Sequence, residues 1–355
     1  MQKYDVVVVG GGPSGCSTAI NCVNLGMDVL LLEKDAPGRR KPCGGVLPWI
    51  TSDVIEDVLS EAMPSYIFNT PKELGLYYVP PSGKFNSGRV SNYKIHNIVR
   101  ERFDEWLLKI AINSGVDIIT ETKFTDLSYD TTFRITAERG DEILDFSSDY
   151  VVGADGVRSK VRTQIKPESS APAMVVGQEL WNGRKSSDFE DCFYGFFRGE
   201  ISISYSYVIP KGDNLLIGLG VPQQQTPNVA EALGMFREWL KKDFNFSDKK
   251  LILKEVWGIP FGYYIPGHGN AILVGDAAGF CNPLSGEGIR LGIESGESAA
   301  SAISRSRKGA NLIEAYQQEV RGLAEMVKKI YDFVISIDDL GRENFVKEEL
   351  SRGTI

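Results

Sequence analysis

The chain has 355 residues, 42% hydrophobic and 24% charged, with 47 acids against 39 bases and a formal charge of -8. This length exceeds one ordinary core and fits two intertwined domains of a soluble globular protein. The acidic balance, with no basic run, excludes general nucleic-acid binding and leaves room only for a local basic patch at a membrane surface.

Five cysteines (Cys16, Cys22, Cys43, Cys192 and Cys281) show neither CxxC nor Cys/His metal spacing. The odd number implies reduced thiols, a reducing compartment and no metal site. His96 and His268 are the only histidines, which argues against a Ser-His-Asp triad. No signal peptide is visible, and no apolar stretch approaches the ~20 residues of a bilayer span. The expectation is a cytoplasmic protein, with peripheral membrane contact left open.

In chain order, Tyr4 to Val9 is a β-branched run of strand length that leads into Gly10-Gly11-Gly12-Pro13-Ser14-Gly15. Ser17 to Leu25 reads as a helix, Gly26 as its stop, and Asp28 to Leu32 as a second strand closed by Glu33. Each part has a physical task. Gly10 makes the tight turn, Gly12 admits a pyrophosphate to the backbone, and Gly15 lets helix and strand pack closely. Pro13 and Ser14 belong to the glycine turn, and the N-terminus of the helix after it presents free N–H groups to the phosphates. Glu33 is placed to bind ribose hydroxyls, and its neighbour Lys34 is grouped with it. The pattern predicts a dinucleotide site without separating FAD from NAD.

Arg39-Arg40-Lys41 is a small basic cluster, suited to a lipid phosphate or simply solvated. Lys41-Pro42-Cys43-Gly44-Gly45 follows as a glycine turn. Arg100-Glu101-Arg102-Phe103-Asp104 begins a helix that Leu107 and Ala111 continue. Tyr150 to Gly153 is a strand ending in Ala154-Asp155-Gly156. Asp191 to Val221 has strand-like alternation with turns at Gly199 and Gly212-Asp213-Asn214. Ala271 to Val274 is a strand ending in Gly275-Asp276, and a helix follows from Glu287 to Ile289. Asn311 to Ser336 is amphipathic and helical, and the charged tail from Asp338 is expected to fray.

The N-terminal fingerprint, Arg100 with Phe103-Asp104, the Asp155-Gly156 motif and the Gly275-Asp276 motif together resemble the aromatic-hydroxylase superfamily of flavoproteins. Lys41-Pro42-Cys43-Gly44-Gly45, Tyr205-Ser206-Tyr207-Val208-Ile209-Pro210-Lys211-Gly212 and Gly275 through Gly286, Gly288 and Ile289 narrow the resemblance to the geranylgeranyl reductase family. Tyr207 and Ile209 depart from it, where that family has Trp and Phe.

The resemblance implies an α/β fold: a Rossmann-type FAD-binding domain, a second antiparallel-sheet substrate domain and a helical C-terminus. The expected limits are 1–75, 93–165 and 254–305 for the FAD domain, 76–92 and 166–253 for the substrate domain, and 306–355 for the helical segment. It implies FAD as cofactor, with Arg100 approaching the flavin and Asp276 at the ribityl or pyrophosphate end. The activity implied is saturation of prenyl C=C bonds on a lipid, quinone or diphosphate. An unpolarised alkene needs hydride and proton delivered together in an apolar tunnel. Cys43 can bring a thiol to the flavin as proton donor, gate or tuner, or can merely fit a tight turn. Tyr205 and Tyr207, two apart on a strand, face either the cavity or ordinary core. Cys281, Cys16 and Cys22 read as packing. The electron donor is NAD(P)H or a ferredoxin-like protein. An FAD-dependent aromatic monooxygenase and a flavin electron carrier to a quinone are the alternatives. The oligomeric state is not legible.

Overall fold

The computed structural model describes residues 1–184, 187–223, 227–248 and 250–352. Two eight-stranded sheets organise it. The first runs in the order Gly267–His268, Ala271–Leu273, Glu142–Gly153, Gln2–Val9, Val29–Leu32 and Asp117–Ile119. Pairing is parallel from Ala271–Leu273 to Asp117–Ile119. Two antiparallel strands, Phe133–Arg139 and Lys123–Tyr129, extend from Glu142–Gly153. Val6 to Val9, Leu30 to Leu32, Val151, Val152 and Ala271 to Leu273 are all buried. A parallel sheet covered on both faces requires such continuous apolar runs.

The chain leaves Gln2–Val9 toward Val29–Leu32 on one side and later returns to its other side as Glu142–Gly153. Strand order therefore reverses between Gln2–Val9 and Glu142–Gly153, which is where open α/β sheets form their ligand crevice. The first helix, Pro13–Asn24, begins earlier than the expected Ser17, because proline is preorganised for the first helical position. Gly15 thus lies inside the helix, where a Cβ would sit 1.8 Å from the Gly10 carbonyl oxygen. This helix packs on Ile289–Ser306, where Gly296 leaves room for the backbone of Ser14 and Thr18.

The second sheet runs Leu251–Pro260, Ala173–Asn182, Asn214–Pro222, Ser206–Lys211, Cys192–Phe196, Phe68–Val79, Gly88–Ile98 and Val46–Pro48. All neighbours are antiparallel except Cys192–Phe196 beside Phe68–Val79. The turn expected at Gly212-Asp213-Asn214 is the hairpin between Ser206–Lys211 and Asn214–Pro222. Helix Val229–Phe244, with a capping box of Asn228 and Glu231, covers one face through Phe236, Trp239 and Phe244. The other face turns toward the first sheet.

Sheet membership moves the expected limits. The second sheet already begins at Phe68 and at Val46–Pro48, extends to Ile98, and keeps Leu251–Pro260. The reason is pairing: Phe68–Val79, Gly88–Ile98 and Leu251–Pro260 are long and continue their ladders past the expected limits, and Val46–Pro48 joins by pairing with Ile95 to Asn97.

The run expected from Asn311 to Ser336 is two helices, Leu312–Glu319 and Arg321–Ser336, divided at the buried Val320. The tail expected to fray is instead a third helix, Asp339–Ser351, capped by Asp338 on the Gly341 N–H at 2.8 Å. It is ordered because Val346, Phe345 and Leu350 pack into the aromatic face of the second sheet. Glu343 also accepts from the Ser82 hydroxyl and N–H, at 2.6 and 3.0 Å. Among the described residues, no helix is long and apolar enough to cross a membrane.

Candidate functional site

A cavity of about 720 Å³ lies between the sheets, within the ~300–1,000 Å³ range of small-molecule sites. One end is the strand-reversal crevice. Gly10 has φ +109°, and a Cβ there would lie 2.4 Å from the Ala154 carbonyl oxygen, so only glycine fits the turn. Gly12 differs: a Cβ would have only an Arg39 nitrogen near it, 4.0 Å away, and would take up cavity space. Pro13 and Ser14 line the same end at the helix N-terminus.

Glu33 ends the second strand, buried at 3% exposure. One carboxylate oxygen accepts from the Gly11 N–H at 2.7 Å and the other from the Asp35 N–H at 3.0 Å. It thereby holds the glycine loop from the side where ribose hydroxyls bind. Lys34 also lines the cavity, and its ammonium lies 3.6 Å from Asp35.

Arg100 is not a solvated helix charge. Its side chain is 10% exposed, and Nε donates to Asp104 at 2.6 Å. Burial works against its charge, but the Asp104 carboxylate and Cys43 outweigh it, so its pKa stands above the ordinary guanidinium value. The other Asp104 oxygen accepts from Arg39 at 3.3 Å. Arg39 also faces Glu33 at 3.4 Å, and Arg40 pairs with Glu255 and Glu101. The basic cluster at Arg39-Arg40-Lys41 is thus neither a free phosphate patch nor plainly solvated. Acids from distant segments neutralise both arginines, while Lys41 points into the cavity. Burial pushes the Lys41 pKa down, opposed chiefly by Asp276.

Asp276 lines the cavity next to Gly275, which has φ +53°. Burial raises its pKa, and Lys41 and Arg100 oppose that rise. Gly288 sits beside it: a Cβ there would come 3.1 Å from the Asp276 carboxylate. Gly286 has φ +68°, and with Ile289 these residues complete the wall. Asp155 and Gly156 also line the cavity. The Asp155 carboxylate, however, accepts from the Ser159 hydroxyl and from the Lys160 and Val161 N–H groups at 2.5, 2.6 and 3.1 Å. It caps helix Lys160–Ile165 and shapes the turn, so what it presents to a ligand is the turn itself.

The other end of the cavity is built by the second sheet from Leu76, Ile95, Phe193, Tyr205, Tyr207 and Ile209. Tyr205 lies one residue before its strand, yet the two tyrosines share a face as expected. Their rings stand 5.8 and 6.2 Å from that of Phe193. Both hydroxyls donate to protein acceptors, Tyr205 to Ser285 O at 3.1 Å and Tyr207 to Gln178 Oε1 at 3.2 Å. Cys43 lines the junction of the two ends with Gly44 and Gly45, its sulfur accepting from the Gly45 N–H at 3.3 Å. Cys281 also reaches this cavity, and burial drives its thiol pKa well up, the mark of packing. Cys16 and Cys22 are fully buried in the core, as expected.

Sequence reasoning missed Gln178 as a separate site residue. Its amide joins Tyr207, Glu255 at 2.7 Å and Cys43 O at 3.4 Å. It also missed Asp104 as a hub, although its four-residue spacing from Arg100 on a helix announces the pair. These residues fit an FAD: glycines leave cavity space beside a helix N-terminus, an acid stands at the ribose position, and Arg100, Lys41 and Asp276 stand farther along.

The profile of the FAD binding domain family matches residues 3–185. A geranylgeranyl diphosphate reductase of Rhodobacter capsulatus is 30% identical over 97% of this chain and 88% of its own. A digeranylgeranylglycerophospholipid reductase of Methanothermobacter thermautotrophicus is 28% identical over 96% of this chain and 88% of its own. A crystal structure from Thermoplasma acidophilum, described as geranylgeranyl bacteriochlorophyll reductase-like, superposes with a TM-score of 0.83. It is 21% identical, covering 99% of this chain and 92% of the other. On the family match and the extent of these likenesses, the chain belongs to the FAD-binding geranylgeranyl reductase family, and its cofactor is FAD.

Proposed function

We propose that this protein is an FAD-dependent reductase that saturates C=C bonds in a prenyl, geranylgeranyl-type chain carried on a lipid, quinone or diphosphate. The observation that carries this reading is the continuity of one cavity, with a glycine cradle at one end and an aromatic wall at the other. The names of the two reductases at 30% and 28% identity support the substrate class.

When bound, FAD supplies the hydride for such a reduction, and the second alkene carbon takes a proton. The chain's own residues do the rest. Gly10, Gly12, Pro13 and Ser14 would receive the pyrophosphate, with Gly15 letting the helix pack on the Gly10 turn, and Glu33 would meet the ribose. Arg100, held by Asp104, Asp276 and the Gly286 to Ile289 segment fix the far part of the cofactor. The wall of Leu76, Ile95, Phe193 and Ile209 excludes water and matches a hydrocarbon chain. Tyr205 and Tyr207 give their hydroxyl protons to protein acceptors, so neither proton is left to donate to a polar substrate, which suits a hydrocarbon chain. Cys43, at the junction, is the thiol placed to hand over or gate a proton. The electrons come from NAD(P)H or a ferredoxin-like protein, and the substrate is met in the cytoplasm or at a membrane surface.

An anaerobic experiment decides the matter. The protein is reduced with dithionite and mixed with geranylgeranyl diphosphate or a prenylated glycerolipid, and flavin reoxidation and product mass are followed together. Reoxidation with mass gains in steps of two hydrogens is expected. Flavin that stays reduced with every prenyl compound, yet reoxidises in oxygen while a phenol gains one oxygen atom, would overturn the reading.

A further inference from the structure

The turn that carries Cys43 is held from behind by a lysine with no acid bound to it. Lys211 is the last residue of strand Ser206–Lys211. Its ammonium donates to Asn97 Oδ1 at 2.6 Å, Gly45 O at 2.9 Å and Ile98 O at 3.4 Å. Three N–H donors thus meet three neutral acceptors. No carboxylate pairs with Lys211 among the described residues.

The acceptors are themselves fixed. Asn97 is fully buried and donates to Pro71 O at 2.9 Å and Pro210 O at 3.1 Å. Gly45 O also accepts from the Ile98 N–H at 2.8 Å. Gly45 has φ +61°, and a Cβ there would lie 2.6 Å from Ile98 O and 2.8 Å from Lys211 Nζ. A side chain at position 45 and the lysine at position 211 therefore exclude each other.

The geometry points to Lys211 as the positioning residue of the Cys43–Gly44–Gly45 turn: its side-chain nitrogen pins the Gly45 carbonyl to the second sheet and so fixes where the Cys43 thiol meets the cavity. This rests on the placement of Cys43 and not on the identity of the substrate. Burying an ammonium without a counter-charge is costly, and desolvation accordingly lowers the Lys211 pKa to about 7. Cys43 on the turn and Glu101 on helix Arg100–Asn113 are the titratable groups that favour its charged form. Opening the turn would rehydrate the amine and return it toward its ordinary, higher pKa. Protons therefore favour the open turn, and its protection rises with pH from about 7 toward the ordinary lysine value.

Hydrogen–deuterium exchange of the FAD-loaded protein, read by mass spectrometry, tests this without substrate. Lys211→Met is expected to speed exchange of the peptide spanning 43–47 about tenfold, the equivalent of one lost hydrogen bond, while the peptide spanning 29–32 is unchanged. Lys211→Arg keeps the donors but does not titrate. It is expected to hold protection within about threefold of wild type, with the pH dependence gone. Unchanged exchange at 43–47 in Lys211→Met, or an equal increase in every peptide of the second sheet, would overturn the assignment. If Lys211→Met does not fold, the other two proteins decide it. Protection at 43–47 that is flat with pH in wild type, or that changes alike in wild type and Lys211→Arg, overturns it equally.

Discussion

A methyl group on Gly10 would lie 2.4 Å from the carbonyl oxygen of Ala154, just beyond the point where the Ala154 N–H donates to Val9 O at 2.8 Å and ties together the ends of the two strands that flank the crevice. The contact is backbone to backbone and cannot relax by a rotamer change. Gly10→Ala combines that overlap with a positive φ and is expected to cost about 2–4 kcal/mol. Thermal unfolding and the flavin content of purified protein check it; full flavin occupancy at wild-type stability would contradict it.

Asp104 gives one oxygen to Arg100 and the other to Arg39. Arg100→Met removes half of that arrangement and leaves a buried carboxylate under-compensated. A loss of about 3 kcal/mol in stability is expected, together with at least tenfold weaker FAD binding. Arg100→Lys should recover stability better than FAD binding, because an ammonium cannot reproduce the planar fork. Fluorescence titration of the flavin-free protein separates the two effects.

Asp276 gives a pH signature. Burial raises its pKa in the folded protein, so in the range just above the ordinary carboxylate value the native state holds more protons than the unfolded chain. Unfolding free energy therefore falls as pH rises through that range. In the flavin-free protein, Asp276→Asn should remove this fall and be more stable than wild type at pH 7, while weakening FAD binding. Urea denaturation at several pH values, with and without flavin, tests it. A variant less stable than wild type at pH 7 without flavin would refute the burial argument.

Tyr207 donates to the amide that also reaches Cys43 O. Tyr207→Phe should cost about 1 kcal/mol in stability and leave FAD binding intact. Tyr207→Ala opens the aromatic wall and should slow prenyl-dependent flavin reoxidation at least tenfold, leaving dithionite reduction unaltered. Stopped-flow traces of the two half-reactions distinguish these outcomes.

Much of this site can be read from the sequence because its parts are local. Gly10 to Gly15, Glu33, Arg100 and Gly275-Asp276 each lie at the end of a strand or the start of a helix, and their spacing states their task. What was illegible depends on distant partners. Nothing near Arg40 in the chain announces Glu255, and nothing near Lys211 announces the Gly45 carbonyl. The tail from Asp338 reads as a charged segment until the aromatic face of the second sheet is placed beneath Phe345 and Val346. Where the second sheet begins was not legible either, since Phe68 to Leu74 are drawn into it by pairing with Ile98 to Ile95 of a neighbouring strand.

Strand Ala271–Leu273 pairs in parallel with Val151 to Gly153, and the last helix closes the aromatic wall. This order has a consequence for biosynthesis. At ~5–20 residues per second, about 12–50 s separate the emergence of the first helix from that of the short helix Gly275–Ala278, which bears Asp276. Until then the glycine loop has no opposite wall and the central strands have an uncovered edge. Flavin capture therefore waits for the segment from Gly275 to Gly292, the last part of the chain that lines the cavity.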